Sequence, residues 1–330
     1  MRDGICHHSY LSVATAVVVG PKIRMMFRLL QMCVGLLLVL MLRWLFRALR
    51  QDRTRVQEEA LMTDSHIQQI DGIGVHYRQE GAGLPVVLVH GLIGSTRTWS
   101  AASSKLSDKM SAISVDLPGS GLSAKPPDFD YSPRAQGEVL AKFIQQTCVE
   151  PAVLVASSAG ARVALHAASA SQGNVRLIVL LSPILGAYLP LDWKSSGGVL
   201  ETRMLELALS SRRLLRLVIR SLSGNSPAAD SAAEAIFMEA RTSGYVAALQ
   251  SSIGVLLNGG SQIPTGKIKV PVRCVVGARD PLAAFLGHDT LLALAADASV
   301  TVLPRCGHMV ELQAPAQVSN LIERFIDELT

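Results

Sequence analysis

The residue whose surroundings most suggest chemistry is Ser158. It follows an apolar run, residues 152–155, that reads as a buried strand, and it precedes residues 162–168, made mostly of good helix formers. A serine at so sharp a strand-to-helix turn has its hydroxyl lifted off the sheet. The N–H of the next residue, Ala159, then lies at a helix N-terminus, where negative charge is favoured. The stretch Ala156-Ser157-Ser158-Ala159-Gly160 fits the nucleophile-elbow pattern G-x-S-x-G with one departure, Ala156 in place of the first glycine. Small side chains are needed because strand and helix pass close together, and alanine is the smallest choice after glycine. Taken alone, the stretch reads equally well as a small-residue turn opening a helix, so its surroundings must decide.

Those surroundings alternate. Continuous apolar runs at 84–89, 110–115, 175–181 and 271–276, and a shorter one at 300–303, have the pattern of strands buried in a parallel sheet. Residues 70–78 alternate around Asp71-Gly72 and predict a hairpin. Helices are expected at 99–109, 132–148 (Ser132 as N-cap, Pro133 at the first position), 289–298 and 315–329. Strands alternating with helices at this spacing predict an α/β fold, a mostly parallel sheet with helices on both faces. Ligands bind such sheets at the carboxyl ends of the strands, which is where the polar and glycine-rich segments of this chain fall. Residues 184–264 break the alternation with helical patterns at 200–209, 212–222, 228–241 and 245–257, and predict a helical cap inserted over the sheet. Within it Arg212, Arg216 and Arg220 recur every four residues, an amphipathic helix with a solvated basic face; contact with anionic lipid is the sharper alternative.

Composition bounds the rest. Of 330 residues 49% are hydrophobic and 17% charged, enough apolar material for a sizeable core. The five cysteines (Cys6, Cys33, Cys148, Cys274, Cys306) are odd in number and form no C-x-x-C pair, so neither a disulfide framework nor a zinc site is indicated. The net charge of +5 resides in residues 1–63, with nine Lys and Arg against four acids, and residues 64–330 are neutral overall. Nothing there calls for nucleic acid. The apolar run at 29–42, flanked by Arg28 and Arg43, predicts a single membrane-anchoring helix over about 25–49, with the globular domain of 64–330 on the cytoplasmic side. An Arg-rich transit peptide delivering the chain to an organelle is the alternative.

Five motifs in order, HGLIGS (90–95), DLPGSGLS (116–123), ASSAG (156–160), VPVRCVVGARDPL (270–282) and CGHMVELQAP (306–315), resemble the α/β-hydrolase superfamily over residues 66–330. The likeness is strongest to its cap-containing serine-hydrolase branch, which includes esterases and monoacylglycerol lipases. The resemblance implies the α/β-hydrolase fold, with Ser158 as nucleophile, Asp280 as acid, His308 as base, and the N–H groups of Leu92 and Ala159 as oxyanion donors. Asp192 is the alternative acid. Relatives that open epoxides or remove halogen use an aspartate nucleophile, so Ser158 argues against both chemistries. Two departures are Ser157, where the family often has His, and Glu311, two residues before the usual place of an acid. His90 is expected to shape the oxyanion loop, and Asp116 and Gly119 to fix the turn after their strand. His76, His166 and His288 are expected to have no catalytic part, Cys306 has no base paired with it, and Cys6-His7-His8 is too sparse for a metal site.

The resulting expectation is a membrane-anchored serine hydrolase acting on a small-molecule or lipid ester through an acyl-enzyme, with no metal or organic cofactor. Two alternatives stand beside it: an acyltransferase, which differs only in the acceptor, and a non-catalytic accessory or binding protein on the same fold.

Overall fold

The computed structural model describes residues 65–171, 173–185, 199–225, 227–257, 263–264, 268–282 and 297–329. The chain enters as a hairpin, β1 (Ser65–Ile70) and β2 (Ile73–Glu80). Asp71 and Gly72 at its tip have φ of 49° and 81°, the two positive values a two-residue I′ turn needs. Next come β3 (Pro85–Val89), a 3₁₀ turn over Thr96–Trp99, α1 (Ser100–Leu106), β4 (Ser111–Val115) and α2 (Pro133–Thr147). The Ser132 hydroxyl caps α2 by accepting the Ala135 N–H at 3.2 Å. Then follow β5 (Ala152–Ser157), α3 (Gly160–Ala170) and β6 (Val175–Leu181). Four helices, α4 (Val199–Leu209), α5 (Arg212–Ser223), α6 (Pro227–Glu239) and α7 (Tyr245–Leu257), separate β6 from β7 (Val272–Gly277). The chain closes with β8 (Ala298–Leu303), the short α8 (Val310–Gln313) and α9 (Pro315–Asp327).

The eight strands form one sheet in the order β1-β2-β4-β3-β5-β6-β7-β8. Only β1–β2 and β2–β4 pair antiparallel. Strands β3, β4 and β5 are buried at every position, so their side chains alternate between two apolar layers rather than between core and water. Val87, Val89 and Leu154 point into the layer under α2 and α3. Val86, Leu88, Val153 and Val155 point into the layer under α1 and α9. This is the expected α/β-hydrolase arrangement. The cap helices make a third cluster around Leu215, Ile219, Ile236 and Phe237, against which Leu92, Ile93 and Met309 of the sheet's loops pack.

Several expectations change. Strands β1 and β2 run further than the alternating pattern suggested, and β8 begins at Ala298. The rest of the helix expected over 289–298 lies outside the described residues apart from Asp297, a bend. The basic face of α5 lies at the surface, where Arg212 and Arg216 reach Glu234 of α6 and Arg220 reaches Asp230. The membrane-anchored localisation is corrected: among the described residues no helix is long and apolar enough to cross a membrane. The longest of them, α2, has 15 residues, roughly 22 Å of helix against a hydrocarbon core of roughly 30 Å. The run at 25–49 on which the anchor, the cytoplasmic-side placement and the transit-peptide alternative rested lies outside the described residues.

Candidate active site

Ser158 stands between the end of β5 and the start of α3 with φ +54°, a left-handed backbone that a serine rarely adopts. Its N–H donates to the Leu181 carbonyl at 2.9 Å, and its carbonyl accepts the N–H groups of Ala161 and Ile184, each at 3.2 Å. The end of the neighbouring strand β6, the loop three residues beyond it and the first turn of α3 thus hold the turn open. Two glycines let the loop after β3 come alongside. A Cβ on Gly91 would lie 3.0 Å from the Ser158 Cβ, and one on Gly160 would run into the His90 carbonyl oxygen.

The structure brings Ser158, His308 and Asp280 together from three strand ends. His308 Nε2 is 2.8 Å from Ser158 Oγ, and Nδ1 is 3.0 and 3.1 Å from the two Asp280 oxygens. With Nδ1 protonated and donating to the carboxylate, Nε2 is left to accept the serine proton. His308 is held by its backbone too, its N–H donating to the Leu222 carbonyl of α5 at 2.7 Å, so the cap fixes the place of the imidazole. Asp280 Oδ1 also accepts the Leu282 N–H at 2.7 Å. Burial alone would raise the Asp280 carboxyl, but His308 and these hydrogen bonds outweigh it and keep it below the ordinary carboxylate range. Asp192, the alternative acid, lies outside the described residues, as do His288 and Cys6-His7-His8.

Leu92 and Ala159 line one cavity of about 40 Å³, together with Leu117, Tyr131, Gln136 and Val163. His90 shapes its wall as expected: Nδ1 bonds the Gly91 carbonyl at 2.7 Å and Nε2 accepts the Leu117 N–H at 3.1 Å. Burial keeps His90 below its usual range, against the pull of Asp116 and the Gly91 carbonyl, so the ring is a neutral brace. Asp116 is fully used by His76 Nδ1 at 2.7 Å and by the N–H groups of Thr96 and Leu122 at 2.6 and 2.9 Å, fixing the turn and accounting for His76. Cys306 is buried, and burial pushes its thiol up. Among the described residues no group of His, Cys, Asp and Glu is placed to hold a metal ion.

Two things escaped sequence reasoning. The departures at Ser157 and Glu311 meet, the Ser157 hydroxyl donating to Glu311 Oε1 at 2.8 Å. The cap also sends Glu239 down onto the loop that carries Leu92, where it hydrogen-bonds Ser95. The first could have been suspected only because both residues break the family pattern; the second left no signal.

Comparison with known proteins agrees with the fold. The model of the alpha/beta hydrolase family matches residues 86–321, most of the chain, which therefore belongs to that family. The dihydrolipoyllysine-residue acetyltransferase component of the acetoin cleaving system from Cupriavidus necator is 25% identical over 286 residues, 82% of this chain and 71% of that protein. Pimeloyl-(acyl-carrier protein) methyl ester esterase from Pseudoalteromonas atlantica is 25% identical over 239 residues, 70% of this chain and 90% of that one. An epoxide hydrolase of known structure superposes with a TM-score of 0.71 at 18% identity, over 81% of this chain and 99% of its own; at that identity the likeness is one of fold alone.

Proposed function

We propose that this member of the family is a serine hydrolase that cleaves a carboxylic ester. The observation that carries the reading is the 2.8 Å approach of His308 Nε2 to Ser158 Oγ, with Asp280 on the opposite ring nitrogen. A serine hydroxyl is a poor nucleophile at neutral pH. His308 takes its proton as it attacks the ester carbonyl, and Asp280 stabilises and orients the imidazolium so formed. The N–H groups of Leu92 and Ala159 receive the oxyanion of the tetrahedral intermediate; a donor of this kind contributes roughly 3 kcal/mol. His308 returns the proton to the departing alkoxide. Water, activated by the same histidine, then releases the acid and restores Ser158.

An esterase among the relatives supports the ester as substrate. The lipid-ester refinement rested on the membrane anchor and is not carried forward. Acyl transfer is the second reading, favoured by the acetyltransferase-named relative. It changes only what attacks the acyl-enzyme, so ester turnover with and without added alcohol or thiol separates the two. The decisive test is fluorophosphonate labelling of wild type beside Ser158→Ala. Labelling of the wild type alone is expected. A correctly folded wild type that takes no label would overturn the reading in favour of a non-catalytic binding protein.

A further inference from the structure

Directly behind the nucleophile, Ser157 and Glu311 are joined across 154 positions of sequence, with the Ser157 hydroxyl donating to Glu311 Oε1 at 2.8 Å. Both side chains lie deep in the molecule, Ser157 2% and Glu311 1% exposed. The bond spans a gap that the sheet does not bridge. Strand β5 ends at the elbow and β8 leads into the His308 loop, and two strands, β6 and β7, lie between them. No ladder hydrogen bond therefore sets the distance from Ser158 to His308. Among the described residues, the hydrogen bonds joining the elbow to the His308 loop and α8 are two: Ser158 to His308, and Ser157 to Glu311.

We propose that Ser157 and Glu311 form a positioning couple for the reaction, a second tether that holds the elbow and the base's loop at the separation where Nε2 reaches Oγ. This rests on the serine-hydrolase reading above and deepens it. Glu311 acts here through its hydrogen bond to Ser157. Its Oε2 is buried without a partner, and among the described residues it makes no ion pair. Burial pushes its carboxyl up, against the Ser157 hydrogen bond and the nearby His308. Asp280 is the carboxylate in hydrogen-bond contact with the His308 ring, while Glu311 touches Ser157, so Glu311 contributes geometry and Asp280 the charge.

The test is the pH dependence of the fluorophosphonate labelling rate in wild type, Ser157→Ala, Glu311→Gln, Glu311→Leu and the Ser157→Ala/Glu311→Leu pair. Each is measured well below its own melting temperature. Ser157→Ala and Glu311→Leu are expected to label about 10- to 100-fold more slowly, the loss that a misplacement of about 1 Å produces. Glu311→Gln, which keeps an acceptor oxygen in place, is expected within about threefold of wild type, with the acid limb of its profile unmoved. The double variant is expected to be no slower than the slower single one, since both remove one bond. If Glu311→Leu fails to fold, Ser157→Ala and Glu311→Gln decide between them. Wild-type labelling in Ser157→Ala overturns the couple. So does a Glu311→Gln whose acid limb falls by a full pH unit, because Glu311 would then be acting as a charge on His308. An unlabelled wild type overturns the parent reading with it, whereas a labelled wild type with an unaffected Ser157→Ala overturns this inference alone.

Discussion

A serine at φ +54° stays there because its neighbours leave it no alternative, and Gly160 is one of the residues that arrange this. A methyl at Gly160 would push the start of α3 away from the His90 carbonyl, and with it Ala159 away from Leu92. For Gly160→Ala we expect at least about tenfold slower fluorophosphonate labelling and a loss of about 1–3 kcal/mol in denaturant melts, the usual range for overpacking; unchanged values in both would show that the close approach is dispensable. Asp280→Asn keeps the side chain's shape but removes the charge that the proposed mechanism places opposite His308 Nδ1. Ester turnover is expected to fall about 10³- to 10⁴-fold, and a fall below tenfold would point to another carboxyl. At this scale much was legible. Ser158, Asp280 and His308 each lie in a sequence motif at a strand end, and the structure brings the three side chains together. Ser157 and Glu311 were not legible as a pair, because no periodicity links residues 154 positions apart.

Helix α5 shows what spacing in sequence can and cannot say. Its arginines recur every four residues, which places them on one face, but the acids they meet belong to α6. A helical pattern fixes a face and is silent about what faces it. The ion pairs are half exposed and contribute little; the seam beneath them, Leu215 and Ile219 against Ile236 and Phe237, carries the contact. Ile219→Ala is expected to cost about 2–5 kcal/mol in denaturant melts, with Arg220→Ala much milder; the reverse order would show that charge holds the cap helices together. Because the Leu222 carbonyl near the end of α5 holds the His308 N–H, Ile219→Ala is also expected to slow labelling several-fold. The strands were readable as apolar runs since both faces of the sheet are covered. The ends of β1 and β2 were not, since an edge hairpin half exposed to water carries Gln68, Gln69 and Gln79 within it.

Cap and core meet around one buried acid, and that junction gives the folded molecule a pH dependence of its own. Glu239, the last residue of α6, is 6% exposed and has Oε2 without a partner; Ser95, Arg97, Asp116, Lys125 and Tyr245 are the groups around it. Burial, reinforced by the Asp116 charge, pushes its pKa up to about 8 from an ordinary 4.5. Between those values the folded chain keeps a proton that the unfolded chain has released. Stability therefore falls as pH rises through the window, by up to about 1.4 kcal/mol per pH unit, and levels off above it. Other groups act elsewhere or with the opposite sign. Asp116 is lowered, so its contribution is lost only in acid. Lys125 is lowered by burial from 10.5, and acts on the alkaline side. His90 and His166, both lowered mainly by burial, are protonated when unfolded below 6.5 and so make stability rise with pH there. Glu311, raised like Glu239, adds to the fall. Comparing wild type with Glu239→Gln cancels these common terms. From pH 6.5 to 8 the wild-type melting temperature is expected to drop more steeply than that of the variant, so that Glu239→Gln gains most at pH 8. Parallel melting curves across that range would mean that Glu239 is ionised in the folded protein, with Lys125 and Arg97 neutralising it, and that the cap is fastened to the core by charge.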